Sequence, residues 1–446
     1  MRNPPIAVPA PGARGHAGRG RAEEAPRVAG RPGVRDRSRT VALVRERHAP
    51  DYAILVAVVA LAAIGILMVY SSSGIRAYVT QDDSFADVGP QLVWAILGIG
   101  AMVAAMHIDY RFWRLVSLPL FVGALALLAL VLVPSVGTVV GGSARWLKLG
   151  SLPAIHPAEF AKLALVVYLA HWMASRGVRI SSVLHGTLPF LLIAGPVVAL
   201  VLKEPDLGTT GVLAMTAFVL FFVAGANLWQ FLLLVPAGVA AVVYVIYSHP
   251  YQLQRVTTFL DPWSDPRGTG FHTIQGLLAL ALGGIVGEGL GQSRAAGGLY
   301  LPNASNDFIF AVIGEEFGLI GGLLVVGLFL VFAYQGIRVA LSAPDTFGGL
   351  LATGITSWLT LQAFVNIGVV VNLLPITGIT LPFVSDGGSS LMVSFAAVGI
   401  LLSISRETQA RGTWNDADPH RRRWFRRAHP AGAGGRAVPA RAANGR

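Results

Sequence analysis

Stretches of mostly apolar residues, each about 20 long, recur ten times along the chain, at approximately 52–71, 89–107, 115–133, 157–175, 187–202, 209–226, 229–247, 308–334, 348–371 and 388–404. A helix of that length rises far enough to cross roughly 30 Å of hydrocarbon. Within hydrocarbon no water is available to the backbone, so each such segment must satisfy its own N–H and C=O groups, which a helix does. The expected fold class is therefore an all-α polytopic membrane protein of about ten transmembrane helices. Composition agrees. Hydrophobic residues make up 54% of the 446 and charged residues 13%, against roughly a quarter charged in a soluble domain. That excludes a cytosolic globular enzyme. The absence of cysteine excludes disulfides, thiolate metal sites and a cysteine nucleophile.

The net charge of +11 would suggest a nucleic-acid partner until it is located. Of the 31 arginines, 21 lie in residues 1–50 and 405–446. Each tail is then +7, and the body between them carries 13 cations against 16 acids, a net of −3. Residues 1–50 are rich in Pro, Gly, Ala and Arg without an apolar period, so they are expected to form a disordered basic tail, and 405–446 a second one. Arg421, Arg422, Arg423, Arg426 and Arg427 around Trp424 and Phe425 suit an anionic membrane surface better than DNA, so no nucleic-acid partner is expected. The first span reads as a retained signal anchor. An even number of spans puts both tails on one side, and their arginines make that side the cytoplasm. The short loops do not follow that rule. Arg76, Arg145, Lys148, Lys203, Arg255, Arg267 and Arg294 fall on the outer side, against Arg111, Arg114, Arg176, Arg179 and Arg338 inside. Cations kept outside against the insertion preference point to an anionic ligand there.

Residues 248–306 form a 59-residue outer connection, much longer than connections usually are. It contains Trp263, Phe271 and Tyr300 and an apolar run from Ile274 that is too short to span. That run is expected to lie in the interface or to re-enter the membrane. The glycines of GEGLG at 287–291 follow no predicted strand, so they read as turn residues and not as a dinucleotide fingerprint. The ten histidines are scattered, His156 among them reads as a packing residue, and neither a Walker motif nor a G-x-S-x-G element occurs.

Charged residues within the apolar stretches are few and costly. Glu159 and Lys162 are three apart on one helical face, where they can pair as a purely structural ion pair or serve a ligand. Asp206 reads as a helix cap. Glu315 and Glu316 point to different parts of the helix circumference, and at least one should find a cation, Lys162 or an arginine. Asp307 opens the eighth stretch directly after the long loop. It reads either as an N-cap or as a carboxylate held at the water boundary beneath a loop that could enclose a substrate, and the residues leave both open.

Six segments carry a resemblance: SARWLKLGSLPAIHPAEFAKL (143–163), EPDLGTT (204–210), RVTTFLDPWSDPRGTGFHTIQ (255–275), GEGLGQS (287–293), DFIFAVIGEEFG (307–318) and NLLPITGITLPFVSDGGSSL (372–391). In order and spacing, over roughly residues 51–405, they resemble the SEDS family, the FtsW, RodA and SpoVE proteins of division, elongation and sporulation. Thr380 before Leu381 brings the last segment closer to FtsW and SpoVE than to RodA. The resemblance implies a ten-span glycosyltransferase of the bacterial cytoplasmic (inner) membrane. It would polymerise the lipid-linked disaccharide-pentapeptide, lipid II, with a class B penicillin-binding protein transpeptidase and other divisome or elongasome membrane proteins as partners. The family's essential outer acid falls on Asp307, and its neighbouring polar and basic positions on Arg145, Glu159, Lys162 and Arg255. Gly387, Gly388, Ser389 and Ser390 match its last outer motif. The chain departs from the family at Ser305 and Asn306, where a His-Thr pair is usual, at His156 and Ala158 in place of Gln and Ser, and at Asp386, often Tyr.

Transfer from a sugar pyrophosphate with inversion needs one base, expected to be Asp307, to take the proton of the incoming 4-hydroxyl. Arg145, Lys162 and Arg255 are expected beside the leaving pyrophosphate, with a divalent cation, magnesium or manganese, as the cofactor to look for. Two alternatives stand beside a polymerase: a lipid II flippase, for which Glu159, Lys162, Glu315 and Glu316 are possible cavity material, and a non-catalytic scaffold of the division machinery.

Overall fold

The computed structural model describes residues 49–81, 88–133, 136–140, 143–148, 154–297, 301 and 304–407. The two predicted basic tails lie outside the described residues except at 49–50 and 405–407. Ten helices coincide with the ten predicted stretches: α1 (Tyr52–Gln81), α2 (Val88–His107), α3 (Tyr110–Val131), α4 (Pro157–Arg176), α5 (Leu188–Lys203), α6 (Leu207–Val223), α7 (Leu228–Ser248), α11 (Ile309–Ser342), α12 (Thr346–Val370) and α13 (Gly388–Ser405). Eight of them are long and apolar enough to cross a membrane on that criterion alone, α5 together with the π-helical turn that leads into it. Of the other two, α6 has 17 residues and α4 carries Glu159 and Lys162 near its start. These two are the most protein-enclosed of the early helices, so their backbone and charges need not meet lipid.

The centre of the domain is made by α12 and α13, most of whose side chains are buried. α12 packs on α4, α6 and α11, and α13 packs along α2. Small residues allow the second contact. A side chain at Gly399 would overlap the Met102 carbonyl oxygen, and one at Gly388 the Trp94 ring. α7, by contrast, leaves nearly all its side chains exposed, including Trp229, Leu232, Leu233 and Tyr244. That is the composition of a helix facing hydrocarbon. At the face away from the long connection, the Tyr110 hydroxyl donates to Asp345, and Asp345 also caps α12 at the Gly348 N–H, each bond within 2.8 Å.

Two features went unread in the sequence. A short antiparallel hairpin, β1 (Gly137–Val140) with β2 (Ser143–Leu147), lies between α3 and α4, its register pairing Gly137 with Leu147 and Thr138 with Trp146. The stretch read as one span over 308–334 is interrupted at Gly318, whose φ of 65° and ψ of −162° break the helix into Ile309–Phe317 and a longer run beyond. The connection over 248–306 contains α8 (Pro250–Leu260), a 3₁₀ turn (Pro262–Ser264), α9 (Phe271–Gly283) and the single turn α10 (Arg294–Gly297). The apolar run from Ile274 is α9, and it packs along the first segment of α11.

Candidate active site

Alternating helix directions bring the N-termini of α4, α6, α11 and α13 and the C-terminus of α12 to one face, the face that also carries α8 and α9. Asp307 sits there in a turn that precedes α11. It does not cap the helix: the N-cap position is Phe308, with no side-chain cap bond. The capping alternative for Asp307 is therefore removed. Its side chain is half-buried, and its placement is set through the main chain. Asn366 of α12 donates from Nδ2 to the Asp307 carbonyl at 2.8 Å and to the Ile379 carbonyl at 2.7 Å. Ser385 donates to the Asn306 carbonyl at 2.6 Å, and the Asp386 N–H to the Ser305 carbonyl at 2.9 Å. Removal from water pushes the Asp307 carboxyl up to about 6, against the opposing pull of its own backbone N–H and of the Arg255 guanidinium. A carboxylate at a helix start would ordinarily be a weak base; desolvation here restores its basicity.

Arg255 is on α8, half-buried, with its guanidinium 4.6 Å from the Tyr251 ring centroid, donating to the Ile376 carbonyl at 3.0 Å and to the Tyr251 hydroxyl at 2.5 Å. Two of the five N–H donors of the planar fork are engaged in these bonds. His272 of α9 lies beside the same region, its ring 6.1 Å from that of Phe308. Asp307 and Arg255 lie within electrostatic reach of each other.

Glu159 and Lys162 are brought together more closely still, but with each other. Lys162 is 1% exposed; its ammonium lies 2.8 Å from Glu159 and donates to Gln362 Oε1 at 2.6 Å. It also faces the Trp358 ring at 5.3 Å, and Trp358 donates to the same Gln362 oxygen at 2.9 Å. Gln362 Nε2 in turn donates to the Thr380 carbonyl at 3.0 Å. A narrow gap with no room for a water molecule adjoins Lys162, between α4, α6 and Trp358. Arg145 of β2 donates from its guanidinium to the carbonyls of Glu204 and Pro205 at 3.0 and 2.7 Å. Ser389 accepts from the His156 N–H at 3.2 Å, and Ser390 meets Thr380 at 3.5 Å, so the two serines join α13 to α4 and to the preceding loop. His156 packs edge-on against Trp146, and burial holds its imidazole below the usual range. Asp206 is a cap, accepting from the Thr209 N–H at 3.0 Å.

Among the described residues, neither Glu315 nor Glu316 is paired with a cation. Glu315 accepts instead from the Ser293 hydroxyl and from the Arg294 and Ala295 N–H groups, and Glu316 from the Ser71 hydroxyl. Two further residues were not singled out in the sequence. Gln362 and Asn366, four apart on one face of an apolar helix, connect the Lys162 cluster to the Asp307 turn; amides at helical spacing in such a helix were the available signal. Glu204, fully buried with neither carboxyl oxygen hydrogen-bonded, is pushed up to about 8 by desolvation and by Asp206, against the nearby Arg145. Among the described residues no three His, Asp or Glu side chains converge to hold a metal ion.

The sequence profile of the family described as "Cell cycle protein" (FtsW/RodA/SpoVE) matches residues 52–410. Stage V sporulation protein E of Bacillus subtilis (strain 168) is 44% identical over 364 residues, covering 82% of this chain and 99% of that protein. A "Probable peptidoglycan glycosyltransferase FtsW" of Geobacter sp. (strain M18) is 40% identical over 362 residues, covering 81% and 98%. Among solved structures, a chain from "Structural coordination of polymerization and crosslinking by a peptidoglycan synthase complex" superposes with a TM-score of 0.67 at 30% identity, covering 80% of this chain and 98% of that one.

Proposed function

This chain belongs to the FtsW/RodA/SpoVE family, and from that premise we propose that it is a multi-pass membrane peptidoglycan glycosyltransferase of cell division or sporulation that lengthens glycan strands from lipid II. The observation that carries the mechanism is Asp307: a desolvated carboxylate on the face that gathers the helix ends, its main chain gripped by α12 and the 379–386 segment. In our reading its carboxylate takes the proton of the acceptor 4-hydroxyl as that oxygen bonds to the anomeric carbon of the donor. The bond from that carbon to the polyprenyl pyrophosphate breaks with inversion, and the electron pair leaves with the phosphate. Arg255 and Arg145, both half-buried, are assigned to the pyrophosphate, where a planar fork suits phosphate oxygens. Lys162, Glu159, Ser389 and Ser390, which bond to one another's neighbourhoods inside the protein, are assigned to the frame behind them. A divalent cation would enter on the pyrophosphate oxygens and not in a protein cage.

A flippase needs charged groups lining a path open to both faces. The buried charges here favour the polymerase, because Glu159, Lys162, Glu315 and Glu316 are each engaged by internal partners. The test is reconstitution with a transpeptidase partner of the kind the complex structure describes, scoring polymer length on a gel beside precursor movement across liposomes. Glycan lengthening whose rate falls about tenfold per pH unit below about 6, as Asp307 becomes protonated, is the expected result. Precursor movement with no lengthening would sink the proposal.

We also propose that both termini are cytoplasmic and that α8 and α9 face outward, on the strength of the arginine-rich tails. Ser264, exposed at the end of the 3₁₀ turn, offers the check. In this cysteine-free chain, Ser264→Cys should react with an impermeant maleimide in intact cells. Reaction only after lysis would invert the topology.

A further inference from the structure

The interruption at Gly318 is not a free hinge, because a second interrupted segment is bonded across it. The N–H groups of Leu319 and Ile320 donate to the carbonyls of Gly284 and Ile285 at 2.9 and 3.2 Å, and the N–H groups of Glu288 and Gly289 donate to the carbonyls of Glu315 and Glu316, both at 3.0 Å. The 284–289 turn thus satisfies four main-chain groups of α11 at the break. The approach is too close for side chains. A Cβ at Gly283 would overlap the Gly314 carbonyl, one at Gly287 the Glu316 carbonyl, and one at Gly318 the backbone of Ile285 and Gly287. Gly287 and Gly318 moreover have φ of 90° and 65°, which other residues rarely adopt.

Two carboxylates complete the junction. Glu315 is entirely buried and accepts from the Ser293 hydroxyl, from the Arg294 N–H at 2.9 Å and from the Ala295 N–H. Glu316, also buried, accepts from the Ser71 hydroxyl of α1. An uncompensated buried carboxylate is costly, and hydrogen bonds from several N–H and O–H groups are what make it tolerable without a cation. These bonds tie α1, the 284–295 segment and the first segment of α11 into one unit. That first segment is two turns of helix, about 12 Å by the rise per residue, and Asp307 is at its far end.

We propose that Glu315 and Glu316 are positioning residues for Asp307: by latching the short first segment of α11 to the 284–295 turn and to α1, they hold the carboxylate at a set place relative to α8 and α9. This rests on the reading of Asp307 as the base. The main-chain grip of Asn366, Ser385 and Asp386 holds the turn from the α12 side, and the latch holds the helix that follows it, so neither alone determines where the side chain stands.

The experiment uses Glu315→Gln and Glu316→Gln, which keep volume but place an amide N–H₂ where donors now converge. The milder Ser71→Ala and Ser293→Ala, each deleting one hydroxyl, serve where the first pair folds poorly. Hydrogen–deuterium exchange is followed on the full chain in detergent, and steady-state polymerisation with the transpeptidase partner is measured in parallel. Faster exchange over 304–310 as well as 287–295 is expected, with kcat lowered between about 10- and 100-fold and KM for lipid II little changed, the pattern for a reacting group misplaced by about an ångström. Faster exchange confined to 287–295 with kcat intact would overturn the latch. The exchange result stands independently of chemistry, so an active Asp307→Asn protein would refute the base and not the latch.

Discussion

Replacing Asp307 with asparagine is expected to lower glycan polymerisation by about 10²- to 10⁴-fold, the usual loss when a general base is removed, with membrane level and thermal stability close to wild type. Stability is spared because the side chain makes no cap bond to α11 and because what fixes the turn are the carbonyls of Ser305, Asn306 and Asp307, which the substitution leaves in place. Asp307→Ala should be equally inactive and equally well folded. Polymer length on a gel, from protein reconstituted with a transpeptidase, is the measurement. Near-normal polymer from the asparagine variant would remove Asp307 from the chemistry.

The second large effect concerns the buried ion pair on α4. Glu159→Gln leaves Lys162 in the interior beside Trp358 and Gln362 without a counter-charge, which typically costs about 3–5 kcal/mol. The variant should melt at a markedly lower temperature in detergent or fail to accumulate. Removing both charges, as Glu159→Gln with Lys162→Met, should recover most of that stability, since a buried pair replaced by neutral groups of like volume is often near neutral. Polymerisation by the stable double variant then decides between two roles. Activity close to wild type identifies the pair as scaffold; a stable but inactive double variant returns Lys162 to the pyrophosphate.

The helices were legible because each is long, apolar and bounded by polar residues, and hydropathy reads those properties directly. Their ends agree with the sequence to within a few residues for most, as for 388–404 against Gly388–Ser405. The break at Gly318 was not legible, since a glycine inside an apolar run is ordinary in a membrane helix and its φ is decided by a turn 30 residues earlier that bonds to it. For the same reason the partners of Glu315 and Glu316 are not legible: charge alone points to a cation, whereas hydroxyls and the main-chain N–H groups of a distant loop take that place. Periodicity placed Glu159 and Lys162 on one face, and they pair there. Gln362 and Asn366 went unnoticed because uncharged amides barely lower the hydropathy of α12, although they are what connects α4 to the Asp307 turn.

The grip on that turn recognises main-chain oxygens only: Asn366, Ser385 and the Asp386 N–H all bond to carbonyls of residues 305–307. A hold of this kind is blind to side-chain identity. The side chains of Ser305 and Asn306 can therefore be exchanged without displacing the aspartate, and the alphabet permitted at those two positions is wide while the path of the chain through them is not.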